Sequence, residues 1–83
     1  MQVELTIRAS IARDMAKGKW KRRLEELLSD FEIGKSPPGK PLKFSPPKPD
    51  VYLAEVDDHW LVFHRSEEVI KVMDIMPIPG GNQ

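Results

Sequence analysis

A proline-rich stretch at residues 34–49 divides this chain of 83 residues into two parts with different hydrophobic periodicity. It holds six prolines, two glycines and four lysines in sixteen residues, and it contains no acidic residue. Because proline lacks a backbone N–H and its ring blocks a helix, neither a helix nor a central strand can run through this stretch. We therefore expect an extended loop over residues 34–49, in which Leu42 and Phe44 are the apolar side chains available to a core.

The part before the loop has the pattern of one strand and two helices. Polar and apolar residues alternate from residue 2 to residue 8, which predicts a half-buried strand. Ser10 is suited to cap a first helix, which Gly18 interrupts or ends. A second helix, predicted from residue 19 and stopped by Gly34, has an apolar stripe at helical spacing. The stripe consists of Trp20, Leu24, Leu27, Leu28 and Phe31.

The part after the loop has the pattern of three antiparallel strands, at residues 51–56, 59–65 and 69–76. Asp57-Asp58 supplies the first tight turn, so that Val56 pairs with His59. With this register both faces of the hairpin are largely apolar, and both need cover. The helices cover one face, and the loop, the tail or a partner covers the other. Residues 77–83 are expected to be an unstructured tail.

Together these elements predict a single α+β domain over residues 1–83, in the order β-α-α-β-β-β, with two helices packed on a small antiparallel sheet. The chain has no cysteine, which excludes a disulfide framework, a zinc knuckle and a thiol nucleophile. No apolar run approaches the roughly 18 residues of a spanning helix, and the alternating N-terminus does not resemble a signal peptide. We expect a cytoplasmic protein with no membrane partner, no metal and no cofactor.

The formal net charge is zero, but the two parts of the chain carry opposite charges. Residues 1–49 contain eleven basic against six acidic residues, and residues 50–83 contain two basic against seven acidic. Such a division predicts a molecule with a basic side and an acidic side, suited to charged partners. The alternative is that the two halves partly neutralise each other within the fold.

The hairpin sequence VYLAEVDDHWLVFHR at residues 51–65 resembles the central hairpin of the RelE/ParE superfamily of type II toxin–antitoxin toxins. The last strand of that family resembles residues 69–75, and Pro41-Leu42-Lys43 is similar to its entry into the sheet. The helix over residues 19–31 resembles the second helix of its pair. The resemblance implies the family's fold, a toxin that cleaves mRNA on the ribosome, and a cognate antitoxin as protein partner.

Several positions depart from the pattern of the RNA-cleaving members. Leu53 and Glu55 stand where those members carry basic residues on the first hairpin strand. Trp60 or Leu61 stands where they carry an arginine on the second strand. The resemblance therefore carries over no ribonuclease residue, and a non-catalytic or gyrase-directed binding module on the same fold is the alternative. An ordinary small α+β domain with an accidental likeness is a third possibility.

Cleavage of RNA requires groups that activate a ribose 2′-hydroxyl and stabilise the developing phosphate charge. The candidate catalytic residues are Arg65, His59 and His64. The two histidines are five residues apart on one strand, so they lie on opposite faces and do not form an acid–base pair by themselves. The alternative role for each is an imidazole at the surface or edge of the sheet.

Candidate RNA-binding residues are the cations of the second helix and of the loop. They are Lys19, Lys21, Arg22, Arg23, Lys40 and Lys43. Such cations would form salt-dependent contacts with phosphates. The alternative for the helix is a solvated N-terminal end, in which Glu25 pairs with Lys21 and Glu26 with Arg22 at i,i+4 spacing. The alternative for the loop is that its lysines only increase solubility.

Overall fold

The computed structural model describes residues 1–35, 40–41 and 50–79, with the backbone alone for Lys40 and Pro41. Two helices pack on one face of a five-stranded sheet of order β1-β5-β4-β3-β2. β1 runs parallel to β5, and the other neighbouring strands are antiparallel. The predicted α+β class and its β-α-α-β-β-β order are confirmed, with one short strand added. The elements are β1 Gln2–Leu5, α1 Ile7–Met15, α2 Gly18–Glu32, β2 Lys40–Pro41, β3 Val51–Val56, β4 His59–Arg65 and β5 Val69–Pro77.

Thr6 joins β1 to α1, and its position corrects two predictions. The strand predicted over residues 2–8 ends before Thr6, and the N-cap of α1 is Thr6, not Ser10. Thr6 Oγ1 accepts a hydrogen bond from the Ala9 N–H at 3.2 Å and donates one to the Met73 carbonyl at 2.6 Å. Threonine is a good N-cap, and here the same hydroxyl also ties the start of the helix to β5. The helix therefore begins earlier than the alternating pattern indicated.

Glycine in the left-handed region marks both ends of α2. Gly18, with φ of +61°, is the first residue of α2, where the chain reverses after α1. Gly34, with φ of +83°, ends the helix as predicted. Its N–H donates to the Phe31 carbonyl at 3.0 Å, and the Lys35 N–H donates to the Asp30 carbonyl at 2.9 Å. These two bonds form a Schellman motif, which satisfies carbonyls that the last helical turn leaves free.

The core lies between the helices and the sheet. The predicted stripe of α2 is confirmed: its four C-terminal members are buried, and Trp20 is half-buried against them. Phe31 of α2 meets Phe63 of β4 with ring centroids 5.5 Å apart, and Phe63 in turn stacks against Tyr52 of β3 at 5.5 Å. The part of the chain that the structure describes buries no polar or charged residue. The core is thus held by apolar packing, with aromatic contacts linking α2 to two strands.

The register of the central hairpin agrees with the prediction, whereas the predicted loop is interrupted by a short strand. Val56 pairs with His59, as expected from the Asp57-Asp58 turn. Lys40 and Pro41 form a short edge strand against β3, so the loop prediction is wrong at these two residues. Proline is tolerated there because an edge strand has one side without ladder bonds. The other predicted loop residues, 36–39 and 42–49, lie outside the described residues.

β5 extends further toward the C-terminus than predicted. Pro77 is the last residue of β5 and pairs with His59, and the Ile78 N–H donates to the Asp58 carbonyl at 2.9 Å. The prediction of an unstructured tail is therefore wrong for residues 77 and 78. Residues 80–83 lie outside the described residues.

An ion pair between Arg13 and Glu25 joins α1 to α2. The guanidinium donates two hydrogen bonds of 2.7 Å to the two carboxylate oxygens. These bonds hold the pKa of Glu25 below its ordinary value and raise the pKa of Arg13. The i,i+4 pairs predicted within α2 are wrong, because Glu25 binds Arg13 and Glu26 pairs with Arg23 at 3.4 Å.

None of the helices in the described ranges 1–35 and 50–79 has both the length and the apolar character needed to cross a bilayer.

Candidate functional site on the open face of the sheet

The face of the sheet away from the helices is here called the open face. Side chains alternate between the two faces of a strand, so the neighbours of the buried Leu61 and Phe63 on β4 lie on the open face. One cross-strand row there contains Glu4, Lys71, His64 and Val51, from β1, β5, β4 and β3. The next rows contain Asp74 with Val62 and Leu53, and Met76 with Trp60 and Glu55. The first row is therefore mainly polar, and each of the next two rows combines apolar side chains with one acidic residue.

His64 is the one predicted catalytic residue in this row. It is half-buried, and by register it stands between Lys71 of β5 and Val51 of β3. Directly opposed residues have Cβ atoms about 4.5–5.5 Å apart, so the imidazole and the ammonium group of Lys71 can reach the same bound group. On the other side, Lys71 pairs with Glu4 of β1. The row thus places an imidazole beside an ammonium group, with a carboxylate next along the row.

Lys71 is a site residue that sequence reasoning missed. Its pairing depends on where β5 begins opposite β4, and the Ser66 N–H fixes this by donating to the Val69 carbonyl at 2.9 Å. Arg65 then pairs with Ile70 and His64 with Lys71. The register of the β4–β5 hairpin is the signal that identifies Lys71, because the length of the turn between these strands determines which residue of β5 lies opposite His64.

His59 lies on the helix side of the sheet. Its ring stacks on Trp20 of α2 with centroids 3.8 Å apart and an interplanar angle of 3°. Its Nδ1 atom is buried and has no hydrogen-bond partner within the described part of the chain. An open cleft of about 230 Å³ adjoins the ring, lined also by Ala12, Met15, Ala16, Ile75 and Pro77. His59 is therefore packed between the layers and separated from His64 by the sheet.

Arg65 is at the other end of β4 from His59. It is half-buried, its N–H donates to the Asp50 carbonyl at 2.9 Å, and it pairs with Ile70. Six residues of extended strand separate its Cα from that of His59 by about 20 Å. By alternation its side chain leaves β4 on the side opposite His64. The structure therefore does not bring the three predicted catalytic residues into one cluster.

The predicted RNA-binding cations of α2 are on the outer side of the helical layer. Arg22 projects roughly opposite the buried stripe, and Lys19, Lys21 and Arg23 flank it at helical spacing. Among the residues described, Lys19, Lys21 and Arg22 form no ion pair, while Arg23 pairs with Glu26. Lys40 lies on the edge strand opposite Leu53, and Lys43 lies outside the described residues.

No group of three or more metal-binding side chains occurs within residues 1–35 and 50–79. The row of Glu4, Lys71 and His64 supplies a carboxylate, an ammonium group and an imidazole.

Comparison with known proteins gives structural matches only. No family model matches the chain. No curated protein sequence matches it either. A chain of the archaeal RelE–RelB complex from Pyrococcus horikoshii OT3 matches with a TM-score of 0.75 and 17% identity, covering 96% of this chain and 97% of the other.

Two Escherichia coli structures give similar matches. The isolated RelE toxin has a TM-score of 0.73 and 17% identity, over 98% of this chain and 87% of that one. A chain of the intact RelBE toxin–antitoxin complex has a TM-score of 0.68 and 18% identity, over 92% and 94%. The expected RelE/ParE-like architecture is confirmed: nearly the whole chain has the RelE fold.

Proposed function

We propose that this chain is the toxin of a type II toxin–antitoxin pair, that it cleaves mRNA on the ribosome, and that a protein antitoxin holds it inactive. The fold supports the toxin role, because it matches RelE structures over nearly its whole length. Two of those structures are complexes with an antitoxin, which supports a protein partner for this chain as well. The observation that carries the ribonuclease part is the row of His64 and Lys71 on the open face.

In the proposed reaction, the ribose 2′-oxygen attacks the adjacent phosphorus and the bond to the 5′-oxygen of the next nucleotide breaks. His64 accepts the proton of the 2′-hydroxyl, and the leaving 5′-oxygen takes up a proton from water or from the imidazolium. Lys71 stabilises the negative charge that builds on the phosphate oxygens. Glu4 is the cross-strand partner of Lys71 on the other side, and its carboxylate accepts a hydrogen bond from Gln2 Nε2 at 3.2 Å.

The cations of α2 serve a second purpose in this proposal. They lie on the other layer of the molecule, behind the sheet that carries His64. We assign Lys19, Lys21, Arg22 and Arg23 to contacts with ribosomal RNA, which would position the open face toward the mRNA. Their contribution is then to affinity and its salt dependence, and the chemical step belongs to the open face. Arg65 and His59 leave β4 on the side opposite His64, so the proposed step does not use them.

A second candidate is a non-catalytic or gyrase-directed toxin that uses the same face to bind a protein. It is favoured by the rows beside His64, in which Leu53, Val62 and Trp60 are each half-buried next to the acidic Asp74 and Glu55. Apolar and aromatic side chains at the centre of a surface are typical of protein interfaces. RNA phosphate would meet little positive charge on these rows.

Induced expression in bacterial cells tests the proposal and separates the two candidates. We expect growth arrest together with new mRNA 5′ ends at positions occupied by ribosomes, mapped by primer extension. His64→Ala should remove both effects, whereas Lys35→Ala, at an exposed lysine that follows α2, should leave both unchanged. Growth arrest without new mRNA ends, accompanied by relaxed plasmid DNA, would support the gyrase-directed alternative. Normal growth with intact mRNA would exclude both toxin roles.

A further inference from the structure

The outer side of α1 carries a line of large apolar side chains in solvent. Ile7 is 80% exposed, Ile11 is 53% exposed and Met15 is 71% exposed. Their i, i+4, i+8 spacing aligns them along one side of the helix, and we call this line the α1 stripe. The opposite side of α1 packs on the core through the buried Ala9 and Ala16. A contiguous exposed apolar line of this kind marks an interaction surface.

The stripe continues into a cleft at its C-terminal end. Met15 lines the open cleft of about 230 Å³ that also contains Trp20, His59 and Pro77. This volume is several times the roughly 30 Å³ that one water takes up in the liquid, so the cleft accommodates a large side chain. The α1 stripe and the open cleft together form a track that an amphipathic helix with one bulky side chain can fill.

Positive charge lies at the same end of the stripe. Lys17 and Lys19 follow Met15 at the turn between the helices, and Lys21 lies on the flank of α2 near the Arg13–Glu25 pair. Within the described ranges these three lysines form no ion pair. The nearby carboxylate of Glu25 is already taken by Arg13. An occupant of the track therefore meets apolar surface along α1 and, at its end, Lys17 and Lys19, which form no ion pair within the described residues, together with the acidic Asp14.

We propose that the α1 stripe and its cleft bind an acidic amphipathic helix of a protein partner. The apolar side of that helix covers Ile7, Ile11 and Met15, and its carboxylates pair with Lys17 and Lys19. RNA suits the track less well, because single-stranded bases bind by stacking on aromatic rings. The α1 stripe is aliphatic, and the two aromatic rings of the cleft, Trp20 and His59, stack on each other. The inference rests on the antitoxin part of the proposed function and gives the chemistry of the segment that such a partner uses.

Binding of two designed peptides tests this inference on the full chain. One is a helical peptide about five turns long with leucines on one side and glutamates on the flanks. The other is its charge-reversed twin, with lysine for glutamate. We expect the acidic peptide to shift the methyl NMR signals of Ile7, Ile11 and Met15, with a Kd that rises with salt. The basic twin should leave these signals unchanged.

Matched variants locate the binding. Ile11→Ser and Met15→Ser should each weaken the acidic peptide by about tenfold. Ile33→Ser, at an equally exposed apolar residue beyond α2, should leave its Kd unchanged. Lys17→Glu should weaken binding, and Lys35→Glu should not. Equal binding of both peptides, binding of neither, or methyl shifts caused instead by an RNA oligonucleotide or by anionic lipid vesicles would overturn the inference.

The ribonuclease proposal fails separately. Cleavage of mRNA by a preparation that does not bind the acidic peptide would overturn this inference and leave the ribonuclease role standing. Binding of the acidic peptide by a preparation without cleavage activity would overturn the ribonuclease role and leave this inference standing.

Discussion

Substitution of His59 tests whether its ring holds the two layers together. The parallel stack on Trp20 at 3.8 Å should contribute about 0.5–1.5 kcal/mol beyond the area it buries. The buried Nδ1 without a partner works against stability, because an unsatisfied buried polar group costs about 1–3 kcal/mol. His59→Ala removes both terms, and His59→Phe removes the second while keeping a ring for the stack.

We therefore expect His59→Phe to match or exceed the wild type in free energy of unfolding, and to exceed His59→Ala by about 1 kcal/mol or more. Urea denaturation followed by far-UV circular dichroism measures this difference. With a slope of about 1 kcal/mol per molar urea, it corresponds to a midpoint difference of about 1 M. Equal midpoints for the two variants would refute a stabilising stack, and a His59→Phe midpoint well below the wild type would refute the cost assigned to Nδ1.

Three further predictions concern the scaffold. Leu24→Ala should lower the free energy of unfolding by about 2–5 kcal/mol, measured by urea denaturation, because Leu24 is fully buried between the layers. Gly34→Ala should cost about 1–2 kcal/mol in the same assay; no atom lies near its added methyl group, so the cost comes from the backbone at φ of +83°. Glu25→Gln should lower stability by less than about 1 kcal/mol at neutral pH, because the Arg13–Glu25 pair is about 40% exposed on each side. Arg13 holds the pKa of Glu25 in the folded protein below its value in the unfolded chain. The stability difference between the wild type and Glu25→Gln is therefore fully present above the unfolded pKa and disappears as the pH falls through the folded pKa. Thermal unfolding of both proteins across the acid range measures this pH dependence.

The spacing of apolar residues correctly predicted the helices and strands whose sequence shows a single helical or strand period. The stripe of α2 and the pairing of Val56 with His59 follow from local spacing, and both are present in the structure. The boundary between β1 and α1 did not follow, because residues 2–8 alternate as a strand does while Thr6 caps a helix. Its hydroxyl is satisfied by Met73, more than sixty residues along the chain, and such a tertiary contact is invisible to a local pattern.

The candidate site was predictable only in part for the same reason. The placement of His64 on the face opposite His59 follows from strand alternation. Its pairing with Lys71 requires the register of β4 with β5, which also contains a bulge between Val62 and Phe63. The i,i+4 ion pairs failed because Glu25 found a better bidentate partner on another helix.

Cleavage of ribosome-bound mRNA by purified protein tests the central claim most directly. The proposed role of His64 as the proton-transferring group predicts that His64→Gln slows the single-turnover cleavage rate by about a hundredfold or more, while unfolding in urea is unchanged. Lys71→Gln should also lower the rate, and Lys35→Gln, on the other layer, should not. A wild-type protein that leaves the mRNA intact, or a His64→Gln variant that cleaves at the wild-type rate, would contradict the assignment of RNA cleavage to the open face.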